Sequence, residues 1–271
     1  MKPLISIITI TFQAESHLRR TAESVLNQSY SNIEYIIVDG GSKDQTISII
    51  KEYEEKFNLK SIPFRWISEQ DNGIYDAMNK GMQLATGDYV WFVNSGDKIA
   101  SETCLEDIFR SPFAVFNGKG KLSGETCPSE DLPDFIYGET FIVNEQGDIM
   151  GPRRLKAPER LNWRSFRMGM LVCHQSMLVK RSIAPRFDLQ YKYSSDFDWT
   201  IRCLKQSTIL YNTHMVLSHF LDGGVSKRKM RTSLMERFKI MSKNYGVIPT
   251  TLRHSWFIFR AAWFKLIHGW I

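Results

Sequence analysis

Along the first hundred residues, apolar and polar positions alternate between two rhythms. Leu4–Thr11 and Ile33–Val38 are continuous β-branched runs, the pattern of strands buried on both faces. Ile62–Ser68 and Tyr89–Val93 predict two further strands. Between them the spacing turns helical. Leu18, Ala22, Val25 and Leu26 share a face within Glu15–Asn27, and Ile47, Ile50, Tyr53 and Phe57 share one within Asp44–Phe57. A third helix is expected over Ile74–Ala85, closed by Thr86-Gly87. This β-α-β-α-β-α-β order predicts a mostly parallel sheet flanked by helices, with ligands bound off the carboxyl ends of the strands. The polar clusters Asp39–Asp44, Ser68–Gly73 and Asn94–Asp97 all follow strands at that edge.

The middle is less regular. Pro112–Pro133 is rich in Gly and Pro, and Gly151–Arg164 is a basic loop. Phe135–Val143, Cys173–Val179 and Thr208–Leu217 read as strands, and Ser195–Lys205 as a helix with Phe197, Ile201 and Leu204 inside. Past Ser226 the texture changes again. Trp256–Ile271 holds six aromatics, and on a helix Phe259, Trp263, Leu266 and Trp270 share one side.

Composition narrows the class. The chain has 271 residues, 43% hydrophobic and 24% charged, which excludes a disordered or collagen-like protein. The net charge of +6 is unevenly spread. Residues 226–271 carry ten Lys/Arg and one acid, Glu236, so the body is −3 and the tail +9. The four cysteines form no C-x-x-C pair, which argues against a zinc knuckle or redox motif and suggests a reducing compartment. MKPLISIITITF reads as a first strand rather than a signal peptide. No apolar run reaches the roughly 18–20 residues that span a bilayer. Dinucleotide, P-loop and H-E-x-x-H patterns are absent.

Four sites could carry chemistry. Asp39, at a strand end, could accept a hydrogen bond from a nucleobase N–H, or could form an Asx-turn that only starts the next helix. Asn94-Ser-Gly-Asp97 places an acid where Mg²⁺ or Mn²⁺ and a diphosphate could sit, or where a turn simply needs one. Asp196 could be a general base or an N-cap. It and Asp198 point about 200° apart on a helix, so only one faces a site easily. His174 and His219 each lie near a strand end.

The order of these signals is specific. Ser6–Gln13 (SIITITFQ), Val38–Thr46 (VDGGSKDQT), Ser68–Gly81 (SEQDNGIYDAMNKG), Gly87–Asp97 (GDYVWFVNSGD), His174-Gln-Ser, Tyr193–Asp198 and Gly223–Ser226 together resemble family 2 glycosyltransferases of the GT-A fold, most like the bacterial enzymes of colanic-acid and O-antigen assembly. The resemblance covers roughly residues 4–226. It implies a Rossmann-like α/β GT-A domain over 1–225 (nucleotide-binding half 1–100, acceptor half 101–225), and the charge and aromatic spacing beyond it read as a basic, aromatic, amphipathic helical tail over 226–271. It implies that Asp39 reads the base, that Thr11 and Asp71 line base and ribose, and that Asn94–Asp97 replaces a D-x-D motif. Asn94 and Asp97 then bind donor, with Asp97 and His219 as ligands of Mn²⁺ or Mg²⁺. Asp196 matches the catalytic base, and His174 and Gln175 the sugar or acceptor pocket.

The implied reaction is inverting transfer of a hexose, from a UDP-sugar before a GDP-sugar, to a polyprenyl-diphosphate-linked saccharide. The basic tail then suits the inner face of the plasma membrane, where a cytoplasmic enzyme would meet that acceptor. A noncatalytic sugar-nucleotide- or lipid-binding protein is the rival reading, favoured by the altered D-x-D. The acidic body argues against nucleic acid. Whether the chain forms a homo-oligomer is open at this stage.

Overall fold

The computed structural model describes residues 2–110, the backbone of 116–117, and residues 132–223 and 229–256. Its sheet runs from β3 (Phe64–Ser68) through β2 (Ile33–Asp39), β1 (Ile5–Thr11), β4 (Tyr89–Phe92), β9 (Met177–Lys180), β7 (Phe135–Val143) and β10 (Ile209–Leu221) to β5 (Lys98–Ile99). The first half is parallel, as the sequence pattern predicts. β1 (Ile5–Thr11) lies between β2 (Ile33–Asp39) and β4 (Tyr89–Phe92), and β3 (Phe64–Ser68) lies outside β2.

β1 and β2 are buried along their whole length, and period-two alternation divides their apolar side chains between two cores. Ile5, Ile7, Tyr35 and Ile37 join one core with Leu18, Val25, Ile50 and Phe57 of helices α1 (Leu18–Leu26) and α2 (Thr46–Leu59). Ile8, Ile10, Ile36 and Val38 join the opposite core with Ala77 and Met78 of α3 (Ile74–Leu84). Each such side chain contributes about 1.5–3 kcal/mol by leaving water, so a one-residue slip of register would expose both sets.

The second half departs from the parallel expectation. β5 (Lys98–Ile99) leads into α4 (Cys104–Arg110), and β6 (Phe116–Asn117) pairs antiparallel with β10 (Ile209–Leu221). β9 (Met177–Lys180) runs antiparallel to β4 and to β7 (Phe135–Val143). β7 pairs parallel with β10, and β8 (Ile149–Pro152) folds back on β7. The strand expected over Cys173–Val179 is split. His174–Ser176 makes a 3₁₀ turn, and only then does β9 begin. That turn lifts His174 out of the sheet. Most of the excursion expected at Pro112–Pro133 lies outside the described residues.

Helix α5 (Ser195–Gln206) covers the second core with Phe197, Trp199, Ile201 and Leu204. Helix α6 (Met230–Tyr245) packs on it, adding Ile240 and Met241 to the same core. The start of the expected tail is therefore built into the body. A further helix occupies 247–256, and the aromatic face expected at Phe259–Trp270 lies outside the described residues. Among the described residues, no helix is long and apolar enough to cross a membrane.

Candidate active site

Strand register brings the first site residues together. Thr11 pairs with Asp39 across β1 and β2, and Asp39 pairs with Ser68 across β2 and β3. Three strand ends thus stand abreast at the carboxyl edge. Asp39 is fully buried, and its carboxylate shapes the loop that follows. Oδ2 accepts from the backbone N–H of Gly41 (3.0 Å) and Ser42 (2.9 Å) and from Ser68 Oγ (2.7 Å), while Oδ1 accepts from Ser42 Oγ. The Asx-turn reading and the site reading thus describe one residue, which in this structure turns its oxygens onto its own loop.

Gly40 explains how Asp71 reaches this rim. A Cβ on Gly40 would stand 2.6 Å from Asp71 Oδ2 and 3.3 Å from the Phe12 ring, so only glycine lets both close over the strand ends. Asp71 Oδ1 accepts from Gly73 N–H at 2.8 Å, which holds its loop. Thr11 is buried and its Oγ1 has no partner. Phe12 is 59% exposed beside these polar groups. The sequence reading gave it no role. Its signal is a large aromatic placed just beyond the strand, between Thr11 and Gln13, where burial does not require one.

A second cluster joins four separate elements. Asn94 follows β4, His174 opens the 3₁₀ turn, Asp196 lies in the first turn of α5, and Tyr75 lies in the first turn of α3. Asn94 Nδ2 is 3.1 Å from His174 Nε2. His174 Nδ1 is 3.6 Å from Asp196 Oδ2, and Tyr75 OH donates to Asp196 Oδ1 at 2.8 Å. With the Asn94 amide as donor, Nε2 is the acceptor and the ring proton sits on Nδ1, facing Asp196. Burial holds the His174 pKa below its ordinary value, opposed by the Asp196 charge and reinforced by Arg153, so the ring is neutral near pH 7. Asp198 faces elsewhere, as the helix geometry predicts. It is 2% exposed and accepts from Arg202 Nε at 2.6 Å. Tyr75 is the second residue missed from sequence. Its apolar neighbours made it look like a core residue, which its ring is.

Asp97, Gln175 and His219 are placed differently from expectation. Gln175 is 2% exposed. Its backbone oxygen accepts from Trp91 Nε1 at 2.7 Å, and its amide donates to Asp97 Oδ2 at 2.7 Å. Asp97 Oδ1 accepts from Leu221 N–H at 2.9 Å. Both oxygens of this buried acid are thereby committed inward, tying the turn after β4 to β10. Burial pushes its pKa up to about 7 against those two hydrogen bonds. His219 is 8% exposed, its ring is stacked on Phe141, and its strand neighbour is Lys98. Burial, then Lys98, lowers its pKa.

Hard divalent cations need oxygen ligands that can turn toward them. His219 Nδ1 is buried without a partner among the described residues, and each Asp97 oxygen already accepts one hydrogen bond that fixes its direction. Among the described residues, no three His, Cys, Asp or Glu side chains could hold an ion together. The pair expected to bind Mn²⁺ or Mg²⁺ does not fit one as arranged here. Asn94 Oδ1 and Ser95 Oγ are buried in the turn without hydrogen-bond partners among the described residues.

The site thus offers a rim shaped by three strand ends and a second cluster in which Tyr75 holds one oxygen of the Asp196 carboxylate. Comparison with known proteins fits that arrangement. The family described as Glycosyl transferase family 2 matches residues 6–111, from β1 past the Asn94–Asp97 turn. An uncharacterised glycosyltransferase of Mycobacterium tuberculosis is 32% identical over 205 residues, 74% of this chain and 68% of its own. A PGL/p-HBAD biosynthesis glycosyltransferase of Mycobacterium bovis is 27% identical over 251 residues, 90% of this chain and 87% of its own. Among solved structures, S. aureus TarS 1–349 in complex with UDP-GlcNAc superposes with a TM-score of 0.64 at 17% identity, covering 97% of this chain and 75% of that one. The match covers 40% of a longer TarS chain. The mannosyltransferase PcManGT from Pyrobaculum calidifontis, in complex with GDP-Man and Mn²⁺, gives 0.59 at 13%, covering 100% of this chain and 77% of that one. The likeness to TarS is one to a GT-A fold. Similarity of this extent to the M. tuberculosis relative, together with the family match over the donor-side strands, makes this chain a glycosyltransferase of glycosyl transferase family 2.

Proposed function

We propose that this chain moves a hexosyl group from a UDP-sugar to a hydroxyl of a polyprenyl-diphosphate-linked saccharide in surface-polysaccharide assembly, with inversion at the anomeric carbon. The observation that carries this reading is the convergence of Asn94, His174, Tyr75 and Asp196 beside the rim of Thr11, Asp39 and Asp71. The base and ribose rest on that rim, with Phe12 as an apolar wall. In the transfer step the acceptor hydroxyl gives its proton to Asp196 Oδ2, and its oxygen bonds to the anomeric carbon. The bond from that carbon to the diphosphate breaks, and UDP leaves with the electron pair. One displacement inverts the centre. The Asp97 and His219 geometry supports no metal step. Arg153, whose charge acts on His174 and Cys173, is a cation beside the site.

The exposed outer side of the C-terminal helices supports the membrane part of the reading. Ile248, Leu252 and Trp256 recur every four residues and are 75%, 68% and 55% exposed. Arg231, Lys239 and Lys243 are exposed on α6, whereas Glu236 is buried inward. An apolar and cationic face of this kind suits anionic lipid.

The test is a panel of nucleotide sugars read by release of nucleoside diphosphate, with and without a prenyl-diphosphate saccharide. UDP-hexoses should support acceptor-dependent release, and Asp196→Asn should abolish it while donor binding persists. Binding of a sugar nucleotide without turnover of any donor in the panel would favour the noncatalytic reading. Near-normal turnover by Asp196→Asn would remove Asp196 as the base.

A further inference from the structure

We propose that Tyr75 is a positioning residue for Asp196, fixing which carboxylate oxygen faces the acceptor and how basic it is. This rests on the reading of Asp196 as the base and adds a residue to it. The contact spans the molecule. Tyr75 sits in the first turn of α3, directly after the Asp71 loop, whereas Asp196 sits in the first turn of α5. Tyr75 is 6% exposed and its ring stacks on Phe187 at 5.6 Å, so the hydroxyl has little freedom to point elsewhere. It donates to Asp196 Oδ1 at 2.8 Å. Among the described residues Oδ2 is only loosely engaged, with His174 Nδ1 at 3.6 Å, beyond good hydrogen-bond range. One oxygen is therefore held and the other is left for a substrate hydroxyl. Burial and the Asp196 charge raise the Tyr75 pKa well above 10, so the phenol stays a donor at any working pH.

Among the described residues, His174, Cys173, Arg237 and Arg153 are the groups whose charges act on this pair or on His174, and burial keeps the Cys173 thiol protonated by pushing it up to about 11. His174 from the 3₁₀ turn is neutral near pH 7. Arg237 of α6 acts on Tyr75 by its charge, and its guanidinium lies 5.8 Å from the Phe197 ring centre. Arg153 acts on His174. These are constant in charge across the range where a carboxylate titrates, apart from His174. Removing the phenol hydroxyl therefore changes one hydrogen bond to Asp196 and leaves the surrounding charges in place.

Tyr75→Phe keeps the ring and its stack on Phe187, so the fold should hold. A charge-assisted hydrogen bond to a carboxylate stabilises the ionised form, and its loss should raise the acid-limb pKa of the kcat profile by about one unit and lower kcat about tenfold. The donor KM should not change. Replacement of Tyr75 by 3-fluorotyrosine, a stronger donor of nearly the same shape, should move the acid limb the opposite way. A purely structural Tyr75 would lower kcat or melting temperature in Tyr75→Phe but leave the acid limb in place in both variants, and that result overturns the proposal. Asp196→Asn run alongside separates the two claims. If it is inactive while the Tyr75 variants leave the limb fixed, the base reading stands and the Tyr75 role falls. If it turns over normally, both fall.

Discussion

At the scale of single residues, exposure separates what residue type alone could not. Asp39, Asp97, Asp196 and Asp198 all follow or open regular elements with similar neighbours in sequence. Asp39 shapes a loop, Asp97 latches two strand ends, Asp198 pairs with Arg202, and Asp196 keeps one oxygen available. Asp97 is where sequence and geometry part most clearly. Its position after a strand fits a metal ligand, but the amides of Gln175 and Leu221 reach it first. Asp97→Ala strands both donors, each costing about 1–3 kcal/mol, and should lower the melting temperature by at least about 4 °C. Thermal denaturation with and without Mn²⁺ checks this. An unchanged melting temperature, or a Mn²⁺ stabilisation present in wild type and lost in the variant, would restore Asp97 as a ligand.

At the scale of elements, the alternating rhythm of β1 and β2 fixes their register and therefore the alignment of Thr11, Asp39 and Ser68. That much is readable in the chain, because two-sided burial leaves only one register acceptable. The loops after the strands are held by glycine, and their need for it is visible only when the Asp71 loop is seen above Gly40. Gly40→Ala should push Asp71 and Phe12 off the rim and raise the donor KM about tenfold, with kcat little altered. Steady-state kinetics with the best donor decide it, and an unchanged KM would separate Asp71 from donor binding. Helix α6 shows the reverse case. Its basic surface is legible in sequence. What its inner side does is not: Glu236 accepts from the backbone N–H of Lys192 and Tyr193, both at 2.9 Å, and Ser233 bonds Ser194. These contacts brace the chain just before Asp196.

At the scale of the whole molecule, α6 ties the start of the +9 tail into the body. Its inner face belongs to the catalytic body, so removing everything from Met230 would strip the support of Asp196 along with any membrane contact. A chain ending at Tyr245 separates them. The full chain should float with vesicles of phosphatidylcholine and phosphatidylglycerol, each basic side chain at the surface contributing about 1 kcal/mol. The shortened chain loses the Phe238–His254 contact and should remain folded with a modestly lower melting temperature and unbound, and equal flotation of the two would remove residues 246–271 as the membrane contact. Periodicity and motif order alone determined the strand–helix alternation, the binding edge of the sheet, the family resemblance and the split of charge between body and tail, because these follow from local spacing and composition. Only the tertiary structure decided that Tyr75 meets Asp196 across 121 residues of sequence, that Gln175 and Leu221 occupy Asp97, and that α6 is core as well as surface. A hydrogen-bond partner is set by where separate elements pack, and no local pattern in the chain records that distance.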